Sequence, residues 1–182
     1  MKRALLLALA LCACKEDIVQ NTDPLPLAPE TLGYFCQMNL LEHEGPKGQV
    51  HLDGLPGAPL FFSQVSDLVT YLRLPEQSNK VLAIYVSDMG ADGATWDQPG
   101  AANWTDAKTA IYVVGADVTG GMGAPELAPF ADPAKAKAFA AVHGGSVMGL
   151  EAIPDSALAP LAPDLTGGDD DYSDRLKSLT EG

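Results

Sequence analysis

The chain has 182 residues, 47% of them hydrophobic and 19% charged, with a formal net charge of −13. That length suits one ordinary domain or two small subdomains. So acidic a chain is repelled by phosphate backbones, which argues against a nucleic-acid partner. No apolar run reaches the roughly 18 residues that a membrane-crossing helix needs.

Residues 1–13 read as a signal peptide of the lipoprotein type. The basic pair Lys2-Arg3 precedes an apolar leader, and Leu11-Cys12-Ala13 stands before Cys14 in the manner of a bacterial lipobox. Cleavage there makes Cys14 the lipidated terminus, and acyl chains at roughly 0.8 kcal/mol per buried methylene hold the protein on a membrane. An ordinary secretory signal with incidental cysteines is the plainer alternative. Residues 14–29, polar and proline-rich, read as the lipid anchor and a tether. In the processed, acylated chain Cys36 is then the one thiol left, without a partner for an intrachain disulfide in an oxidising compartment.

Residues 30–89 read as a first ββαβ half. Strands are predicted over 33–41, 49–52 and 81–86, from β-branched and aromatic content in short runs, and a helix over 63–72. The turn Glu44-Gly45-Pro46-Lys47-Gly48 joins the first two strands as a hairpin. Residues 90–108 form a linker loop rich in Gly, Asp and Ala, pinned to the body by Trp96 and Trp104.

Residues 109–154 repeat the order in shorter form: a strand over 110–115, a glycine-rich loop over 119–123, an extended piece over 126–130, a helix over 133–143 and a strand over 146–150. The helix has Asp132 as its cap, Pro133 at its first position and Gly144-Gly145 as its stop. Tyr34-Phe35 and Tyr112-Val113 each lie in a predicted first strand, which suggests duplication. The expected fold is α+β, two related ββαβ halves packed together, because a half this small buries too little apolar surface alone. Residues 155–182 read as a disordered acidic tail in which Asp169-Asp170-Asp171 is solvated.

On a strand over 33–41, Cys36 and Met38 leave the same face. A thiolate beside a thioether offers two arms of a low-coordinate Cu(I) site, since soft sulfur favours Cu(I) over Mg, Ca or Mn. Buried Cys and Met are also ordinary core residues, so core packing stands as the competing reading. Met122, in Thr119-Gly120-Gly121-Met122-Gly123, is a candidate third ligand, or a plug beneath its loop. His43 could complete the site, or is simply an exposed histidine after the first strand. Met89, near a strand end, is a further candidate or only covers the core, and His51 and His143 read as structural or solvated. Phosphate-loop, nucleotide-binding and zinc-protease motifs are lacking. A Cys36–His43 nucleophile pair has no evident orienting partner or oxyanion hole.

Together, the lipobox, Tyr34-Phe35-Cys36-Gln37-Met38 and Glu44-Gly45-Pro46-Lys47-Gly48-Gln49 resemble the NosL family, accessory lipoproteins of nitrous oxide reductase maturation. The stretch from Tyr112 through Gly123, then Pro129-Phe130 and His143-Gly144-Gly145, resembles it too. The resemblance spans residues 33–154. It implies a non-enzymatic copper chaperone that binds one Cu(I), with two ββαβ halves similar to part of the organomercurial lyases. It carries ligand roles to Cys36, Met38 and Met122, with His43 as a possible ligand. Expected partners are nitrous oxide reductase and the membrane-associated Nos assembly proteins. The expected location is periplasmic and lipid-anchored, with Lys15 after the cysteine favouring the outer membrane. The alternative function is a thiol-dependent enzyme using Cys36 on an organomercurial-lyase-like scaffold.

Overall fold

The computed structural model describes residues 19–158. The leader, Cys14 and the tail beyond residue 158 lie outside the described residues. The described residues form a mixed α/β structure with two small antiparallel sheets and two helices.

The first sheet contains β1 (Gly48–Leu52), β2 (Leu60–Phe62), β3 (Val81–Ser87) and β4 (Trp104–Asp106), in the spatial order β2-β1-β3-β4. Helix α1 (Val65–Arg73) lies between β2 and β3 in sequence. The second sheet contains β5 (Ile111–Val114), β6 (Ala128–Phe130) and β7 (Ser146–Gly149), in the order β6-β5-β7, with α2 (Pro133–His143) before β7.

Every residue of β1 is buried, so both of its faces are covered. Val50 and Leu52 alternate onto the face shared with Val65, Leu68 and Val69 of α1. Gln49 and His51 point the other way, where residues 20–27 form a strap. Gln20 donates to the carbonyls of Leu52 at 2.9 Å and Leu55 at 3.2 Å. The Gln49 amide accepts from Leu25 N–H and donates to its carbonyl, each at 3.0 Å, and Leu27 N–H donates to Ala101. The tether expected to run to Pro29 is corrected here: from Gln20 to Leu27 the chain is docked, because buried polar groups of β1 need these partners.

The main apolar cluster joins the two sheets. Tyr112, Val114 and Leu127 from the second pack with Val50, Phe62, Leu68 and Val86 from the first unit. The opposite face of β5, through Val113, packs with Phe130 and Ala136. Tyr112 is fully buried and donates to Ala107 O at 2.7 Å. Tyr112→Phe leaves that carbonyl unpaired in the core, and is expected to lower the unfolding free energy by about 1 to 2 kcal/mol in urea titration.

The second-half elements fall where the sequence places them. Asp132 accepts from Ala134 N–H, Pro133 opens α2, and Gly144 and Gly145 end it with φ of 74° and 90°, which side-chain-bearing residues avoid. The linker is not wholly loop, because its end forms β4 beside β3. Of the expected tail, residues 155–157 form a short 3₁₀ turn, and Arg73 pairs with Asp155 at 2.5 Å.

The strand expected over 33–41 does not form. Only the Leu32↔Asn39 bridge survives, and the chain between is a compact turn. Gln37 has φ of 55°, its N–H donates to Gly33 O at 2.9 Å, and its side chain donates to Gly33 and Tyr34 carbonyls. These local bonds replace a ladder. Tyr34 and Phe35, whose aromatic character suggested a strand, instead pack with Phe62 and Tyr71, with ring centroids 5.3–6.4 Å apart. Beyond the turn, Asn39 caps a 3₁₀ turn over Leu40–Glu42. Residues 44–48 are therefore not a hairpin, and the first sheet's opening hairpin is β1–β2.

Candidate metal centre

Cys36 sits in the turn, half-buried, with its Sγ folded back over Gly33 where a Cβ would otherwise be. The same-face argument for Cys36 and Met38 fails with the strand. What holds the two residues near each other is the turn, closed by a 3.0 Å bond from Gly33 N–H to Met38 O. Met38 is exposed at one end of it.

Lys47 is near enough to Cys36 to feel its charge. Its side chain is fully buried, and its ammonium donates to the carbonyls of Glu44 at 2.7 Å, Gly45 at 2.8 Å and Ser63 at 3.3 Å. Burial pulls its pKa down to about 8, opposed by the charges of Glu126, Cys36 and Glu44. Lys47 thus binds the 44–45 segment to the end of β2 and brings a cation into the field of Cys36.

Met122 comes from the second sheet's β5–β6 connection. That loop is closed by the Thr119↔Pro125 bridge and by Gly120 N–H to Ala124 O. It touches the first unit at Gly121, where a Cβ would lie 2.5 Å from His43 Cβ and 3.1 Å from Glu44 O. Trp96 reinforces the contact: its indole N–H donates to Thr119 O at 2.7 Å, and its own carbonyl accepts from Gly45 N–H at 2.7 Å. Met122 itself stays exposed, so it does not plug the core beneath its loop. His43, Glu42, Glu44, Leu41, Asp97 and Gly121 line a cleft of about 350 Å³ beside it.

Glu126 lies at the root of the loop. Its carboxylate is buried and accepts from Val65 N–H at 3.1 Å, Ser66 N–H at 3.0 Å and Leu127 N–H at 2.7 Å. It therefore caps α1 from the other sheet, since Gln64 at the cap position makes no side-chain cap bond. Desolvation pushes its pKa up to about 7 against the pull of those three donors. Neither Lys47 nor Glu126 carries a periodic or motif signal beyond Lys47's place in the Gly-Pro-Lys-Gly run.

The other candidates separate from this end of the molecule. Met89 packs on the second cluster. His51 is buried, with Nε2 3.1 Å from Gln49 Oε1, and His143 stacks on Phe139 with centroids 4.3 Å apart. No group of three or more His, Cys, Asp or Glu side chains converges among the described residues. A thiolate and thioethers, the donors that Cys36, Met38 and Met122 carry, are of the kind that suits a soft, low-coordinate ion.

The NosL family model matches residues 24–158. A protein of Achromobacter cycloclastes named copper-binding lipoprotein NosL is 54% identical over 174 residues, covering 93% of this chain and 89% of the relative. One of the same name from Stutzerimonas stutzeri is 34% identical over 173 residues, covering 93% of this chain and 87% of the relative. The crystal structure of the copper chaperone NosL from Shewanella denitrificans is similar with a TM-score of 0.67 and 26% identity, over 75% of this chain and 98% of that one.

Proposed function

The chain belongs to the NosL family, and from that premise we propose that it is a periplasmic, lipid-anchored chaperone carrying one Cu(I) on Cys36, Met38 and Met122. His43 is the possible fourth donor. The observation that carries this reading is the contact of Gly121 with His43 and Glu44, which brings the Met122 loop to the segment following the Cys36 turn. A Cu(I)–thiolate unit is neutral and is completed by thioethers, weak ligands that a partner's donors can displace one at a time. Exposed Met38 and Met122 would let an acceptor attack before Cys36 releases the ion. The protein needs no catalytic activity of its own for this.

The proposed recipient is nitrous oxide reductase, with the Nos assembly proteins as further partners. Cys14 is the proposed lipidation site, with the outer membrane as destination. The shared order strand, strand, helix, strand in β1–β3 and β5–β7, with the first strand central in each sheet, supports descent of the two units from one duplicated ββαβ element.

Titration of the reduced protein with Cu(I) against a competing chelator tests the site. One tight equivalent is expected, lost in Cys36→Ser and weakened about 10- to 100-fold in Met38→Leu and Met122→Leu. Unchanged affinity in all three variants would sink it.

A further inference from the structure

We infer that the bilayer faces the β1–β2 hairpin tip, and that the Cys36–Met122 end is presented away from the membrane. The inference rests on the proposed lipidation of Cys14 and on where the strap is docked.

The strap sets the exit point of the anchor. Gln20 is tied to Leu52 and Leu55, at the tip of the hairpin, by two side-chain bonds. Cys14 lies six residues before Gln20, so the chain between them spans at most about 20 Å. The body is therefore held close to the lipid headgroups, with residues 53–58, all exposed, nearest to them. A tether free to Pro29 would have allowed any orientation, and the docked strap removes that freedom.

The candidate metal centre is at the other end of the same strands. Tyr34 N–H bonds Phe61 O, Lys47 bonds Ser63 O, and Gly48 pairs with Phe62. From Gly48 to Leu52, β1 runs about 13 Å away from that end towards the tip. Charge acts in the same direction. The metal end bears exposed Glu42, Glu44 and Asp97, which anionic headgroups repel. At the tip, Asp53 lies 3.9 Å from Lys80, so its charge is offset.

Full-length, lipidated protein with Cys36→Ser carries a fluorophore on Leu55→Cys or on Leu41→Cys, both at exposed positions. Each is reconstituted in phosphatidylethanolamine–phosphatidylglycerol vesicles doped with headgroup-nitroxide lipid. Quenching at position 55 is expected to exceed that at position 41 at least three-fold. Inserting twelve Gly/Ser residues between Cys14 and Val19 should abolish the difference. Equal or reversed quenching overturns the orientation, and a difference that survives the insertion overturns the docked strap as its cause. Protein that fails to float with the vesicles overturns the lipidation of Cys14 itself, and the orientation falls with it.

Discussion

Glu126→Ala is expected to lower the unfolding free energy by about 3 to 5 kcal/mol, the largest single loss outside the apolar core. The carboxylate is the shared acceptor for three buried N–H groups on two segments, Val65 and Ser66 opening α1 and Leu127 opening the way to β6. Alanine leaves all three without a partner and opens a hole beside Gln64 and Gly120, which now crowd the carboxylate. Urea denaturation of the metal-free protein measures the loss, and a change below about 1 kcal/mol would mean that water replaces the cap.

Glu126→Gln adds a sign that a packing effect cannot imitate. The folded-state pKa of about 7 lies above the ordinary 4.5, chiefly because burial disfavours the charge. A raised pKa means that the folded protein holds the proton more firmly. The stabilisation is fully present below 4.5 and is lost as pH rises through 7. Wild type should therefore lose about 3 kcal/mol relative to the Gln variant between pH 4.5 and 8. His51, lowered by desolvation, slopes oppositely in acid, but it is common to both proteins and cancels. Lys47, which the Glu126 charge helps to hold at about 8, titrates at the upper edge of this window, so the difference is read below about pH 7.

The residues that were legible from sequence are those whose conformation is decided locally. Asp132, Pro133 and the Gly144-Gly145 pair set both ends of α2 within a few bonds of themselves. The run Val81-Leu82-Ala83-Ile84-Tyr85-Val86 has no plausible state but a strand with buried Ile84 and Val86. By contrast, Tyr34 and Phe35 satisfy an aromatic cluster with Phe62 and Tyr71, partners far along the chain, and the turn around them is fixed by the Gln37 side chain. Strand propensity reads burial but not the partner. The candidate ligands were visible as soft side chains, whereas the groups that position them were not. Lys47 and Glu126 look like surface charges in sequence and become buried only because carbonyls and helix N–H groups from other segments meet them. The strap looks like tether in sequence for the same reason: Gln20 and Leu25 are ordinary linker residues until the Leu52 and Leu55 carbonyls meet the one and the buried Gln49 amide the other.

Gly121→Val is expected to weaken Cu(I) binding about 10- to 100-fold while changing the unfolding free energy by less than about 1 kcal/mol. A β-carbon there meets His43 Cβ at 2.5 Å and the Glu44 carbonyl at 3.1 Å, and the latter is backbone held by Lys47. That segment cannot yield cheaply, so the loop must move, and Met122 is the next residue. Met122 is exposed, and its displacement costs the core nothing. The two readouts therefore separate, as they would not for a residue that merely supports the fold. Gly149→Ala serves as the control, because a Cβ there meets open space, and both quantities should stay at wild-type values. X-ray absorption of the Cu(I) form completes the test. Fewer sulfur neighbours in Gly121→Val than in wild type are expected if loop contact delivers the Met122 thioether. An unchanged sulfur count with unchanged affinity would remove Met122 from the site and leave the Cys36 turn to hold the ion without it.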